Sequence, residues 1–218
     1  MRVKINGVLS EDELEIIIRS DADQVGIFVG QCYASPFFIL PSTAARLVRL
    51  LPPGIAPVMD THMTDHDEIS NLMERSGIYT VQLHCWETSE VIKLRDQLPH
   101  YAKVILNCFP MSPNFKANQF EISGRFADAV SMDCSNLEPG NNSTRRDLPD
   151  WDTIAKVVPS FKGPWWFNNI PDAETSKIIK KFNLFGIEAG ISLRKNGLLN
   201  EELCREFVLS AKGVLNKN

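Results

Sequence analysis

The sequence lacks a long hydrophobic run, although 44% of its 218 residues are hydrophobic. A helix that crosses a bilayer needs about 20 apolar residues in succession, so no transmembrane segment is expected. Residues 1–5 also lack the apolar core and the small-residue cleavage site of a secretory signal peptide. We therefore expect a cytoplasmic protein with no membrane partner.

An excess of positive charge is absent too, because 23 Lys and Arg residues face 27 Asp and Glu residues and the net charge is −4. Proteins that bind nucleic acids present basic surfaces, so we expect no nucleic-acid partner. The 5 cysteines are scattered and form no CxxC pair, which argues against a disulfide framework and against a zinc knuckle. We expect a small-molecule partner, no cofactor and no metal, in a monomer or a homodimer.

Short apolar segments alternate with amphipathic segments along the chain and predict eight strands, most of them apolar or β-branched, as in strands buried on both faces. The predicted strands are residues 3–5, 24–29, 56–61, 80–83, 103–107, 129–133, 165–168 and 186–189. Helices are predicted at 64–75, 88–98, 151–157, 172–182 and 200–215, and two more begin at a capping box on Ser10 and at Pro41.

The turn after the first strand decides between two α/β folds. It reads Asn6-Gly7-Val8 and lacks the glycine-rich pattern of an open, doubly wound sheet. Eight strand–helix units in a chain of this length instead predict an α/β fold of the (β/α)8 TIM-barrel type, with a single domain over residues 1–218. Two irregular segments, 109–126 and 136–150, are predicted as long loops on the catalytic face, because both follow strands.

In such a barrel the active site lies at the C-terminal ends of the strands. Side chains two residues apart share a face of a strand, so polar residues spaced in this way point into the barrel together. Buried polar groups cost free energy unless they are paired or used, which makes this set a candidate site. Its members are Lys4, Asn6, Asp60, His62, Gln82, His84, Asn107, Asp133, Asn168 and Glu188.

Several of these residues also have a purely structural interpretation. Lys4 is better explained as a barrel lysine paired with Glu188 than as a Schiff-base lysine. Gln82 and His84 form either a structural pair or part of the site, and the sequence leaves both open.

For the second strand-end pair, Asp60 and His62, a position just beyond the strand and in solvent is preferred to a role in the site. Together with His84 it could offer oxygen and nitrogen ligands to a metal, but the spacing alone does not support that site. Asp133 ends a buried strand and is followed by a polar loop, so it is the first choice for a functional carboxylate.

The order of motifs resembles the phosphoribosylanthranilate isomerase family of tryptophan biosynthesis, whose members are (β/α)8 barrels. The resemblance spans essentially the whole chain, and the Gln82-Leu83-His84 strand is its most specific part. The other matching motifs are Val3-Lys4-Ile5-Asn6-Gly7-Val8, Ala22-Asp23-Gln24-Val25-Gly26-Ile27-Phe28, Ser35-Pro36, Met132-Asp133, Asp150-Trp151, Asn169-Ile170-Pro171 and Gly186-Ile187-Glu188.

This resemblance implies an isomerase that performs an Amadori rearrangement, in which a general acid opens a furanose ring and a general base removes the C2 proton. The family's acid corresponds to Asp133. Its cysteine base corresponds to Asn6, and an amide cannot accept a proton at neutral pH. Phe37 stands where the family has an arginine that meets the anthranilate carboxylate. The phosphate-binding loops have lost glycines and correspond to Gly140, Asn141, Asn169 and Gly190.

Because base, carboxylate anchor and phosphate loops all differ, the sequence predicts a divergent member. We expect acid–base chemistry (isomerisation, cyclisation or bond cleavage by a lyase) on a small carbonyl, imine or sugar-like substrate. The expected catalytic residues are Asp133, His84 and, as a hydrogen-bond donor, Asn6. The expected substrate contacts are Lys4, Gln82, Asp60, His62, Phe37, Asn168 and Glu188. Two alternatives stay open: the unmodified family reaction with a relocated base, and a ligand-binding barrel without catalysis.

Overall fold

The computed structural model describes residues 1–84, 86–109, 126–133, 152, 155–156, 161–169 and 182–213. Eight parallel strands pair in chain order and close into a barrel, because the last strand pairs with the first. The strands are β1 Arg2–Asn6, β2 Gln24–Phe28, β3 Ala56–Thr61, β4 Thr80–Leu83, β5 Lys103–Cys108, β6 Ala129–Asp133, β7 Trp165–Asn168 and β8 Gly186–Ala189. The predicted (β/α)8 barrel is confirmed.

Helices alternate with the first strands of the barrel as predicted. They are α1 Glu11–Arg19, α2 Pro41–Arg49, α3 His66–Ser76 and α4 Thr88–Gln97, and a later helix, α5 Glu201–Ala211, follows the last barrel strand. Three begin at side chains that accept a backbone N–H in the first turn, as capping requires: Ser10, Asp65 and Asn200. None of the helices in the described ranges has the length and hydropathy needed to cross a membrane.

Several predictions fall outside the described residues. These are the helices at 151–157 and 172–182, except for a few isolated positions, and the loop at 136–150. Of the predicted loop at 109–126, only Phe109 and Phe126 are described. A short segment after β8 is described in full: a 3₁₀ turn, Ile191–Leu193, leads into a two-stranded hairpin of β9 Arg194–Lys195 and β10 Leu198–Leu199.

The interior of the barrel is layered, because side chains two residues apart along each strand point to the same side. At the bottom, Val58, Ile105, Ala129 and Trp166 form an apolar cluster of their own. Gly186 makes room for it, since a Cβ at that position would lie 2.4 Å from the Trp166 ring. Polar residues follow above this cluster on the same strands, so the apolar layer forms the base on which the site is built.

Candidate active site

A cavity of ≈ 200 Å³ opens where the strands end. It brings together eight of the residues that the sequence predicts for the site: Asn6, Phe37, His62, His84, Asp133, Asn168, Asn169 and Gly190. The other lining residues are Gly7, Phe28, Tyr33, Ser35, Phe38, Phe109, Ile191 and Arg194. Gly140 and Asn141, the remaining predicted phosphate contacts, lie outside the described residues.

Four predicted substrate contacts do not line this cavity but lie beneath it: Lys4, Asp60, Gln82 and Glu188. The Nζ of Lys4 lies 2.6 Å from Oε2 of Glu188 and 3.3 Å from Oδ1 of Asp60. Lys4 also donates to the side-chain oxygen Oε1 of Gln82, and Ser131 donates to Glu188. The pairing of Lys4 with Glu188 that the sequence suggested is therefore present, with Asp60 as a second anionic partner.

Both sides of this ion cluster are charged. Burial alone would lower the pKa of Lys4, but the charges of Asp60 and Glu188 outweigh it and raise that pKa above its ordinary value. Burial alone would raise the pKa of Asp60, but the Lys4 charge and a hydrogen bond with His84 hold it below its ordinary value. The cluster holds one ammonium group, on Lys4, and two carboxylates, on Asp60 and Glu188, so its net charge is −1.

The expectation that Asp60 lies in solvent is wrong. Asp60 is the fifth of the six residues of β3, so it lies within the strand and not beyond it. Its side chain is fully buried. The strand continues because Asp60 stays in register with Gln82 on β4 and with Phe28 on β2. Its side chain therefore points into the barrel, where Lys4 compensates its charge.

His84 joins the ion cluster to the cavity. Its Nε2 lies 3.4 Å from Oδ1 of Asp60, and its Nδ1 lies 3.1 Å from the amide nitrogen of Asn107. An amide N–H donates to an imidazole nitrogen that carries a lone pair, so the tautomer that accepts from Asn107 has its lone pair on Nδ1 and its proton on Nε2, facing Asp60. The His84 side chain is 8% exposed and contributes one face to the cavity.

His62 lies beside it and is also buried, against the expectation of a solvent position. The two imidazole rings are 4.6 Å apart between centroids, and Nε2 of His62 lies 3.0 Å from the hydroxyl of Tyr33. Burial, with the neighbouring His84 in addition, lowers the pKa of His62 to about 3. His62 is therefore a neutral side chain at physiological pH.

Five rings form a continuous surface on the β2–β4 side of the cavity, which we name the aromatic wall: Phe28, Tyr33, Phe38, His62 and His84. Neighbouring centroids lie between 4.6 and 6.3 Å apart, mostly in edge-to-face or tilted geometry. Phe28 ends β2, and the two histidines follow β3 and β4. Tyr33 and Phe38 come from the segment between β2 and α2.

Asn6 forms part of the cavity floor. Its Nδ2 donates to Oε2 of Glu188 over 2.9 Å. Its Oδ1 and the Oδ2 of Asp60 are buried and have no hydrogen-bond partner among the described residues. Both oxygens lie over Gly26, where a Cβ would be 2.2 Å from the first and 2.4 Å from the second. Only a glycine at this position of β2 leaves room for them.

Asp133 lies on the opposite, β6–β8 side of the cavity and is 6% exposed. The side-chain amide of Asn169 donates to it, with Nδ2 3.3 Å from Oδ1 and 3.2 Å from Oδ2. Asn169 follows β7 with a φ of 57°, a left-handed conformation that asparagine tolerates better than most residues. The polar loop that follows Asp133 in the sequence lies outside the described ranges.

Arg194 is a lining residue that the sequence did not suggest. Its Nη1 lies 2.8 Å from Oε1 of Glu13 and 2.7 Å from the carbonyl of Gly197. Its Nη2 donates to the carbonyl of Gly7 and to the same Glu13 carboxylate. The guanidinium also lies 5.1 Å from the centroid of the Phe37 ring. Its charge is therefore already compensated inside the protein.

The residues that sequence reasoning missed share one property. Tyr33, Phe38 and Arg194 lie in segments without strand or helix periodicity, so no pattern indicated which way they face. Phe28 could have been found, because it is the next-to-last residue of the predicted strand 24–29 and lies near a strand end as Asp133 does. Within the ranges that the structure describes, no group of three His, Cys, Asp or Glu residues could hold a metal ion.

No protein-family model matches the chain. It is 29% identical over 217 residues to N-(5'-phosphoribosyl)anthranilate isomerase 2 of Methanosarcina mazei, covering 97% of this chain and 94% of that protein. The solved N-(5'-phosphoribosyl)anthranilate isomerase of Pyrococcus furiosus superposes with a TM-score of 0.75 at 21% identity, covering 98% and 99% of the two chains.

A further phosphoribosylanthranilate isomerase was solved in complex with reduced 1-(o-carboxyphenylamino)-1-deoxyribulose 5-phosphate. It superposes with a TM-score of 0.75 at 19% identity, covering 98% of this chain and 99% of that one. At such identities the two solved structures establish the fold, and the relative from Methanosarcina mazei carries the likeness in sequence along nearly the whole chain. The resemblance seen in the sequence is thus confirmed, and the chain is a divergent relative of the phosphoribosylanthranilate isomerases.

Proposed function

We propose that this barrel is an aldose–ketose isomerase of the Amadori type, which acts on an N-aryl ribosylamine. The names of its relatives make N-(5'-phosphoribosyl)anthranilate the first substrate to test. The observation that carries the proposal is the position of Asp133: a buried carboxyl group at the end of β6, facing the cavity that His84 lines from β4.

Asp133 is the proposed general acid. Its proton goes to the ring oxygen of the sugar, which breaks the C1–O bond and leaves an iminium group between C1 and the amine nitrogen. The Asn169 amide then donates to the carboxylate that remains, because Nδ2 lies within 3.3 Å of both oxygens.

His84 is the proposed general base, because Asn6 cannot accept a proton. With the lone pair on Nδ1 and the proton on Nε2 facing Asp60, the ring has the arrangement in which a carboxylate orients a histidine and stabilises its imidazolium. The net charge of −1 on the ion cluster favours a positive charge beside it. Nδ1 is held by the buried Asn107 amide, so proton transfer at this atom requires that hydrogen bond to break when the substrate binds.

In the second step His84 removes the proton from C2 and the electron pair forms the C1–C2 double bond, which neutralises the iminium nitrogen. The resulting enolamine gains a proton at C1 and loses one from the C2 hydroxyl, which yields the 2-ketose. Atoms balance between substrate and product, so no oxidant, reductant or cofactor is needed. The aldose becomes a ketose within one molecule.

One observation favours a second candidate function: the same acid and base acting on a different small carbonyl or imine substrate. At the position where the family has its base, the Asn6 amide is tied to Glu188 and offers no proton acceptor. A site that has changed its base is free to catalyse a cyclisation or a lyase reaction with the same pair of proton-transfer groups.

The experiment that separates these functions is an assay of the purified protein with N-(5'-phosphoribosyl)anthranilate and with the N-phenyl ribosylamine phosphate. Ketose formation is followed by fluorescence of the aryl amine and by NMR. We expect turnover of at least one of the two, with a loss of about 10²- to 10⁴-fold in Asp133→Asn. The isomerase proposal is overturned if neither compound is converted, or if Asp133→Asn is as active as the unchanged protein.

A further inference from the structure

The aromatic wall limits what chemical group the cavity accepts on its β2–β4 side. Three of its five members are phenyl or phenol rings, and a fourth, His62, is neutral because its pKa is about 3. The wall therefore presents ring faces and edges to a ligand over most of its surface. Flat aromatic groups pack against such surfaces in offset or edge-to-face geometry, and such ring pairs are favourable beyond the apolar area that they bury.

Among the residues that the structure describes, cations that could pair with an anionic ligand are scarce on this side. Arg194 is the one Lys or Arg among the described residues that line the cavity, and both its Nη atoms are bound to Glu13 and to backbone carbonyls. Lys4 lies beneath the cavity and is held by Asp60 and Glu188. A carboxylate placed against the wall would lose water without gaining a charge partner from any described residue.

The floor of the cavity also disfavours an anionic ligand. The ion cluster of Lys4, Asp60 and Glu188 has a net charge of −1. The two unpartnered oxygens over Gly26, from Asn6 and Asp60, are buried, so they act on a ligand through their negative potential and not by direct contact. A ligand that carries N–H or a positive charge toward the floor is favoured there, whereas an anionic group is repelled.

From this arrangement we propose that the aromatic wall binds an uncharged aryl ring, so that the chain prefers an N-aryl ribosylamine without a ring carboxylate over the anthranilate derivative. This inference rests on the proposed function for the identity of the sugar part. Its own content is the chemistry of the ring: aromatic, uncharged and joined to an amine nitrogen above the floor.

The test is a binding measurement with two stable compounds, by isothermal titration calorimetry. One is reduced 1-(o-carboxyphenylamino)-1-deoxyribulose 5-phosphate, and the other is the same molecule with a phenyl ring in place of the carboxyphenyl ring. Both carry the phosphate, so its contribution cancels in the comparison. We expect the phenyl compound to bind at least about tenfold more tightly, which corresponds to about 1.4 kcal/mol.

Two variants complete the test. Phe38→Ala removes one ring of the wall and should weaken binding of the phenyl compound about tenfold. Tyr101→Ala removes an exposed ring that does not line the cavity and should leave both affinities unchanged. The comparison of the two compounds on the unchanged protein needs no variant, so it decides the question even if Phe38→Ala folds poorly.

The outcomes separate this inference from the proposed function. Tighter binding of the phenyl compound without turnover of either ribosylamine supports the ring preference and overturns the isomerase. Equal or tighter binding of the carboxyphenyl compound, with turnover, overturns the ring preference and supports the isomerase. If neither compound binds, both are overturned.

Discussion

The Nε2 atom of His84 lies 3.4 Å from Oδ1 of Asp60, a carboxylate that is fully buried and that Lys4 also contacts. Asp60 is a positioning residue in the proposed reaction, because it does not line the cavity and acts through the imidazole. The pair links the ion cluster inside the barrel to the face where a substrate binds.

Replacing His84 by Gln should lower kcat/KM for isomerisation by about 10²- to 10⁴-fold, because glutamine keeps hydrogen-bonding capacity but cannot take up a proton. The assay is ketose formation from the better of the two ribosylamines. His100→Gln is the matched control: His100 is an exposed histidine that does not line the cavity, and its replacement should leave the rate unchanged. If the His84→Gln protein retains full activity, His84 is not the base and another group removes the proton.

Asp133→Asn should lose activity to a similar extent, while its free energy of unfolding drops by no more than about 1 kcal/mol, since volume and most hydrogen bonds are kept. Denaturation by urea measures the second quantity. Asp128→Asn is the control, because Asp128 precedes the same strand at the opposite end of the barrel and contacts Arg95 and Lys103. Its replacement should preserve kcat/KM.

The barrel could be predicted from sequence because buried parallel strands are short apolar runs, and five of the eight strands have the bounds that the pattern indicates. Asp60 shows where that reasoning stops. Its inward position depends on Lys4, a partner 56 residues away. No local sequence pattern indicates whether a polar residue at a strand end points into the barrel or lies in solvent. Arg194 is a sharper case, since its partner Glu13 is 181 residues distant.

Lys4→Met should destabilise the fold by about 3–5 kcal/mol, because it leaves Asp60 and Glu188 buried without a cation. Urea denaturation provides the measurement. Arg46→Met breaks the exposed ion pair with Glu11 and should cost only about 0–1 kcal/mol. Adding Asp60→Asn to Lys4→Met should recover part of the loss, whereas additive losses in the double variant would contradict the compensation of charge described here.

The stability of the fold should depend on pH through His62. Its pKa in the folded protein is about 3, below the ordinary value of 6.5, so between these values the unfolded chain binds more protons. The contribution of neutral His62 to the free energy of unfolding is complete above pH 6.5. It is lost as pH falls toward 3, by at most about 1.4 kcal/mol per pH unit. His62→Gln removes this dependence, so the difference in unfolding free energy between the two proteins should narrow on acidification. If the unfolding free energies of the two proteins fall in parallel from pH 7 to pH 4, His62 is not the source of the pH dependence.

The missing side chain at Gly26 also constrains the order in which this site can change. Asn6 on β1 and Asp60 on β3 both extend over the intervening glycine, so three adjacent strands share space for two side chains. A methyl group at position 26 would force the side chains at positions 6 and 60 to move, whereas shorter side chains at those two positions would leave room for it. The effect of a substitution at Gly26 therefore depends on which residues already occupy positions 6 and 60, so the order of changes at these three positions matters.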